Sequence, residues 1–164
     1  MFTIAKTEAS RGLWPVLKDS LREPEAGMVM VDVIAAGICG TDYHIYSWDA
    51  WSAGRVRTPM TIGHEFVGRI SAIGAGVTGF SIGDRVSAEC HIACGTCRFC
   101  RTGNAHICEK TSIIGVDRPG AFAEQVEVPA SNLWHVPEGI PDAHAALFDP
   151  VGNAMHMVAS AKVT

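Results

Sequence analysis

The chain has 164 residues, 48% of them hydrophobic and 18% charged, and a formal net charge of −4. That length suits one domain with a sound core, and the mild acidity gives no bias toward nucleic acid or an anionic membrane surface. No apolar run approaches the ~20 residues that span a bilayer. With no apolar leader at the N-terminus, no membrane partner is expected, and the six cysteines are expected to be reduced thiols in a cytoplasmic protein.

The first strong element follows a Pro/Gly break. Met28 to Ala35 is an apolar, β-branched run and predicts a largely buried strand. Next comes Gly37-Ile38-Cys39-Gly40-Thr41-Asp42, and further on Gly63-His64-Glu65-Phe66-Val67-Gly68. One thiolate, one imidazole and one carboxylate make a mixed ligand set. Sets of three with an open fourth position are typical of catalytic zinc. Each piece alone has a plainer reading: Cys39 as a small core residue, His64-Glu65 as a surface pair. The flanking glycines, which let the backbone bend close to a metal, weigh toward ligation.

Phe66 to Gly74 and Asp84 to Glu89 predict two further strands on either side of a Gly-rich turn. Then comes Cys94-x2-Cys97-x2-Cys100-x7-Cys108, four thiols within fifteen residues. Four soft sulfur ligands make a closed tetrahedral zinc cage with no place for water. Arg98, Arg101 and Lys110 are placed to offset its negative charge. A disulfide knot conflicts with the reducing context. An iron–sulfur cluster fits less well, because no proline follows the fourth cysteine. Gly120 to Val128 alternates and predicts another strand ending at Pro129. Short strands separated by turns point to a barrel or sandwich. The tail differs: 141–148 and 152–161 are Ala- and Met-rich, hence helical, with a break expected at Asp149-Pro150.

Gly63-His64-Glu65-x2-Gly68-x5-Gly74-x2-Val77, extended by Gly79-Phe80-x2-Gly83-Asp84-Arg85-Val86, resembles the signature of the zinc-containing medium-chain alcohol dehydrogenases, and the cysteine cage resembles their structural zinc lobe. The segments around Ile38 to Tyr46, Trp48 to Ser52, Arg118 to Glu124 and Phe148 to His156 narrow the resemblance to L-threonine 3-dehydrogenases. The resemblance implies a mainly β, GroES-like barrel over 1–148, with a zinc lobe at about 90–110 and a helix from 149 that leads toward a nucleotide-binding domain. It implies one catalytic zinc on Cys39, His64 and Glu65, and one structural zinc on Cys94, Cys97, Cys100 and Cys108. It implies Thr41 and His44 as a proton relay, and Asp149 as an acid–base group near the metal or a further ligand. The implied reaction oxidises L-threonine to 2-amino-3-oxobutanoate with NAD, in a homotetrameric full-length enzyme. Cys90 is expected to be core packing, and His91, His106, His135, His144 and His156 structural or surface residues.

The chemistry suits those roles, since zinc acidifies an alcohol hydroxyl and a hydroxyl near an imidazole gives its proton a path to water. A hydride acceptor has no evident site. Gly74-x-Gly76-x2-Gly79 matches the dinucleotide fingerprint in letters only, because it follows a barrel strand and no helix can open at Phe80 to Asp84. The expectation is therefore a fragment that is inactive alone and carries an exposed apolar face where a nucleotide domain would dock. The segment Ser20 to Gly27 departs from the family pattern. A polyol dehydrogenase keeps the same zinc logic, and a free-standing zinc module would need no second domain. A zinc-ribbon nucleic-acid binder is disfavoured by the charge.

Overall fold

The computed structural model describes residues 1–19 and 23–161, so part of the divergent segment at 20–27, and the last three residues, lie outside the described chain. The elements in order are β1 (Phe2–Lys6), β2 (Trp14–Leu17), β3 (Met28–Gly37), α1 (Gly40–Ser47), α2 (Ala50–Arg55), β4 (Met60–Thr61), β5 (Glu65–Ile73), β6 (Arg85–Ala88) and β7 (His91–Ile92). They continue with α3 (Arg98–Arg101), β8 (Ser112–Ile113), β9 (Gln125–Pro129), β10 (Leu133–His135), α4 (Asp142–Ala145) and α5 (Phe148–Ala161).

Five strands in the order β10-β6-β5-β3-β9 form the main antiparallel sheet, and β2-β1-β4 form a second. The expected strand at 120–128 explains how they join. Only its second half, β9, pairs with β3. Its first half turns to the other sheet: Ile4 donates its amide to the Phe122 carbonyl at 2.7 Å, and Phe122 to the Ile62 carbonyl at 2.8 Å. Val29, Val31, Phe66, Ile70, Val86, Val126 and Val128 fill the core under the main sheet. β3 is less buried than its composition predicts. Val29 to Val31 are buried in succession, and from Asp32 onward burial alternates between exposed and intermediate. Register shifts at Met30/Val31 and Val33/Ala35 mark where the strand bends out of the core.

Two features escape a pattern reading. Residues 40–55 form two short helices. Neither shows an apolar stripe, because only Asp42, Ile45 and Ser52 of them are buried. Ile45 joins Val56, Met60, Ile62 and Val116 in a second core cluster that holds this pair against the barrel. Lys6 is fully buried. Its ammonium donates to the carbonyls of Gly12 at 3.0 Å and Tyr46 at 3.4 Å, and lies 4.9 Å from the Trp48 ring centroid. Burial lowers its pKa, with Glu8 opposing. The lysine ties the N-terminal segment to the end of α1.

The tail needs a correction. Asp149-Pro150 does not break a helix; both residues lie in the first turn of α5. Proline is tolerated there because its missing N–H has no intrahelical partner in any case. The chain instead breaks between α4 and Phe148. Along α5, Val151, Met155, Met157 and Val158 are exposed. No helix among the described residues is long and apolar enough to cross a membrane. The Gly-rich turn after β5 opens no helix, and Gly76, Gly79 and Gly83 take positive φ there.

Candidate metal centres and the residues around them

Cys97 precedes α3, Cys100 lies within it, and Gly95 and Gly103 take positive φ on either side. The sulfurs of Cys97 and Cys100 are 3.5 Å apart, those of Cys94 and Cys100 4.0 Å, and those of Cys97 and Cys108 4.0 Å. Four thiolates about 2.3 Å from one zinc ion lie roughly 3.8 Å from each other, so the cage has the size of a tetrahedral zinc–sulfur site. Backbone amides support it. Cys97 N–H donates to Cys94 Sγ at 3.3 Å, and the amides of Cys94 and Lys110 donate to Cys108 Sγ, each at 3.3 Å. The Thr96 hydroxyl and amide and the Cys97 amide hold the Cys94 thiol down at about 5. Desolvation and the neighbouring thiols push Cys100 up to about 12. Sulfurs so close cannot all ionise without a cation between them.

The second group is assembled by strand register. Gly37, the last residue of β3, pairs with Glu65, the first of β5. That pairing delivers the loop carrying Cys39 to His64-Glu65, and one ligand atom from each of the three residues falls within 4.8 Å of the others. His64 and Glu65 are each 5% exposed, while Cys39 is half-buried. Two buried polar atoms here lack partners: His64 Nδ1 and Asp42 Oδ1. They face each other at 3.9 Å, and His64 Nε2 lies 4.0 Å from Glu65 Oε1. At 3.9 Å no hydrogen bond joins His64 to Asp42, but a metal taken by Nε2 would leave Nδ1 aimed at that carboxylate. Asp42 is fixed by accepting the Cys39 amide at 2.9 Å, and its pKa is raised by burial. The open set, with one thiolate, suits zinc bound less firmly than in the cage.

Thr41 stands on the first turn of α1, its Oγ1 3.8 Å from Cys39 Sγ. His44, three residues on, shares that helix face. Asp149 reaches a different neighbourhood. Its Oδ1 accepts the Cys90 amide at 2.8 Å, and it clusters with Glu89, Cys90 and His91. Burial raises its pKa, and the charge of Glu89 adds to that. Burial, then Asp149, Glu89 and Glu65, drive the Cys90 thiol far above its ordinary range. Cys90 is core packing as expected, at 2% exposed, yet it sits among three carboxylates. A cleft of about 880 Å³ runs along this cluster, with His91, Trp134, Asp149, Asn153 and His156 on its walls.

Residues 25–138 match the alcohol dehydrogenase GroES-like domain family. The chain belongs to the zinc-dependent medium-chain alcohol dehydrogenases. It is 49% identical over 162 residues to the L-threonine 3-dehydrogenase of Marinomonas sp. (strain MWYL1), covering 98% of this chain and 47% of that protein. It is 51% identical over 156 residues to that of Stenotrophomonas maltophilia (strain K279a), covering 95% and 46%. Among solved structures, galactitol-1-phosphate dehydrogenase from Escherichia coli superposes with a TM-score of 0.89 at 28% identity, over 99% of this chain and 45% of that one. A short chain alcohol dehydrogenase from Escherichia coli CFT073, complexed with NADH, superposes with a TM-score of 0.88 at 35% identity, over 100% and 46%. The chain spans about half the length of the relatives it matches.

Within this dehydrogenase domain, some polar residues near the site were not singled out by the sequence. Asp42 carried a signal, an acidic residue three positions after a helix N-cap. His91, expected to be structural or surface, accepts a place on the cleft wall, with Nδ1 2.6 Å from Glu89 Oε1. Nothing local marks that, because the cleft exists only once α5 crosses the barrel. Gly63, next to His64, takes φ +91°, and a methyl there would run into the Phe122 ring. Gly63→Ala is therefore expected to destabilise the domain by about 2–4 kcal/mol, combining positive-φ strain with overpacking. Urea unfolding of the zinc-loaded chain measures this; a loss below about 1 kcal/mol would mean that the turn before His64 relaxes freely.

Proposed function

We propose that this chain is the catalytic half of a zinc- and NAD-dependent dehydrogenase that oxidises the secondary alcohol of L-threonine to 2-amino-3-oxobutanoate. The observation that carries the reading is the convergence of Cys39, His64 and Glu65 through the β3–β5 register. A zinc ion held there would act as a Lewis acid on the substrate hydroxyl. The chain's own residues would do the rest. Thr41 accepts the hydroxyl proton as it passes its own on, and His44 takes that proton and releases it to water. Asp42, 3.9 Å from His64 Nδ1, would accept Nδ1–H on a small approach and so fix the ring's tautomer. Asp149, buried beside the cleft, orients substrate or exchanges a proton with it. NAD⁺, bound by a nucleotide-binding half, would supply the acceptor for the hydride on the carbon whose hydroxyl has been deprotonated, leaving the ketone. Identity near 50% to threonine dehydrogenases supports this substrate, as does the segment Asp149-Pro150-Val151-Gly152-Asn153.

Exposed Val151, Met155, Met157 and Val158 on α5 favour a nucleotide-binding half packed beside that helix over a free-standing zinc module. The 164-residue chain alone is accordingly expected to form no NADH from threonine, because among the described residues no dinucleotide-binding fold is present to hold the nicotinamide in contact with the reacting carbon. NADH formation that scales with the purified chain and disappears in Cys39→Ser would overturn this. The likeness to galactitol-1-phosphate dehydrogenase gives the polyol alternative its footing. In the enzyme that joins this domain to a nucleotide-binding half, turnover on threonine should exceed that on sorbitol; the reverse order would favour the polyol.

A further inference from the structure

His44 Nδ1 lies 2.5 Å from Asp49 Oδ2. Asp49 is the N-cap of α2: its other oxygen, Oδ1, accepts the Ser52 amide at 2.9 Å. The Ser52 side chain is fully buried and its hydroxyl lies 3.0 Å from the His44 carbonyl. The Trp51 ring stands edge-on to the imidazole, 6.1 Å between centroids. The carboxylate is thus locked from behind, and its orientation does not depend on the histidine it meets.

We propose that Asp49 is the positioning residue of the relay: Oδ2 accepts Nδ1–H of His44 and fixes the tautomer whose Nε2 is free to take up a proton. This rests on the relay reading of Thr41 and His44. When Nε2 gains the proton given up by Thr41 Oγ1, the ring becomes an imidazolium held against the carboxylate, and it returns to neutral by releasing the Nε2 proton to water. A neutral imidazole has one donor nitrogen and one acceptor. With Nε2–H it has no lone pair at Nε2 and the relay stops. The amide of Ser52, then the contact with His44, keep the Asp49 carboxyl below its usual range, so it stays an acceptor.

The cap makes the proposal testable by one atom. In Asp49→Asn the Ser52 amide still requires an oxygen at Oδ1, and asparagine caps helices as well as aspartate does. The amide nitrogen must then face His44 Nδ1 as a donor, which forces the ring to Nε2–H. A carboxylate-to-amide change beside a catalytic histidine elsewhere acts through the same tautomer swap.

The experiment uses the full zinc-loaded chain with ¹⁵N-labelled histidine at about pH 8.5, above the ordinary histidine range. Protonated and unprotonated ring nitrogens resonate apart, and His44 is assigned by its loss in His44→Phe. The wild-type chain should show Nδ1–H, and Asp49→Asn should show Nε2–H with unchanged folding. Asp49→Ser, which keeps a capping oxygen but cannot reach the ring, should lose the Nδ1–H preference. A wild-type Nε2–H ring, or a ring that stays Nδ1–H in Asp49→Asn, overturns the proposal. The readout needs no substrate, so failure of threonine oxidation would sink the functional reading while leaving the tautomer result standing.

Discussion

Cys97→Ser is expected to release zinc from the lobe at about 90–110 and to unfold that lobe, while the barrel stays folded. The lobe has little else to hold it. α3 is four residues long with no buried residue, and the turn at Ala105–Ile107 is likewise unburied. A helix that short does not persist unaided. What the segment does have is four sulfurs already at zinc spacing. Structural zinc contributes on the order of 10–16 kcal/mol in small peptides at neutral pH, far more than the capping and turn contacts present here. Serine supplies a harder, more weakly acidic oxygen, so most of that is lost. Elemental analysis of wild-type chain should find the cage zinc retained after gentle dialysis and the zinc at Cys39, His64 and Glu65 lost first. Limited proteolysis of Cys97→Ser should cut between 93 and 110. A variant that keeps its zinc and resists cleavage would mean that three sulfurs and local packing suffice. Loss of the cage zinc before that at Cys39 would invert the ranking of the two sites.

The second large effect is expected from Asp149→Asn in the enzyme that joins this domain to a nucleotide-binding half: a fall in turnover of roughly 10²–10³-fold, with the cage zinc intact. Asp149 is 6% exposed and borders the cleft. Asparagine retains an oxygen for the Cys90 amide now received at 2.8 Å, and the contact it disturbs, from Asn153 Nδ2 at 3.4 Å, is weak. The fold should therefore survive. What disappears is the carboxyl to which the proposed mechanism gives proton exchange with substrate. Burial raises its pKa, and the charge of Glu89 adds to that. Steady-state kinetics with paired metal analysis check this; a decrease under about tenfold would assign Asp149 to holding the Cys90 backbone and nothing more.

How far the sequence could be read follows from the range of each signal. The strands at 28–37, 65–73 and 85–88 were legible because β-branched runs between Gly and Pro breaks announce themselves within a few residues. The strand expected at 120–128 was half right, since its pairing partner changes at the sheet junction and no local pattern records that. The helices at 40–55 were missed because they are held by Ile45 and by caps at Asp42 and Asp49 rather than by an apolar face. Asp149-Pro150 was misplaced because proline ends a helix in mid-run and begins one in its first turn, and composition alone does not distinguish the two.

By itself the sequence carried the four-thiol cluster and the family, because both are written in short spacings. Four thiols in fifteen residues need no distant partner to become a site. The sequence named Cys39, His64 and Glu65, but only the tertiary structure brought them together. Cys39 meets His64 and Glu65 because Gly37 pairs with Glu65, a register set by burial along two strands and invisible from either alone. Asp149 meets Cys90 across 59 residues of chain because α5 packs back on the barrel. Asp42 and Asp49 are ordinary capping residues until the fold turns one toward His64 and the other toward His44. Long-range register and helix packing are fixed by the summed burial of many side chains, and no single stretch of sequence carries that sum.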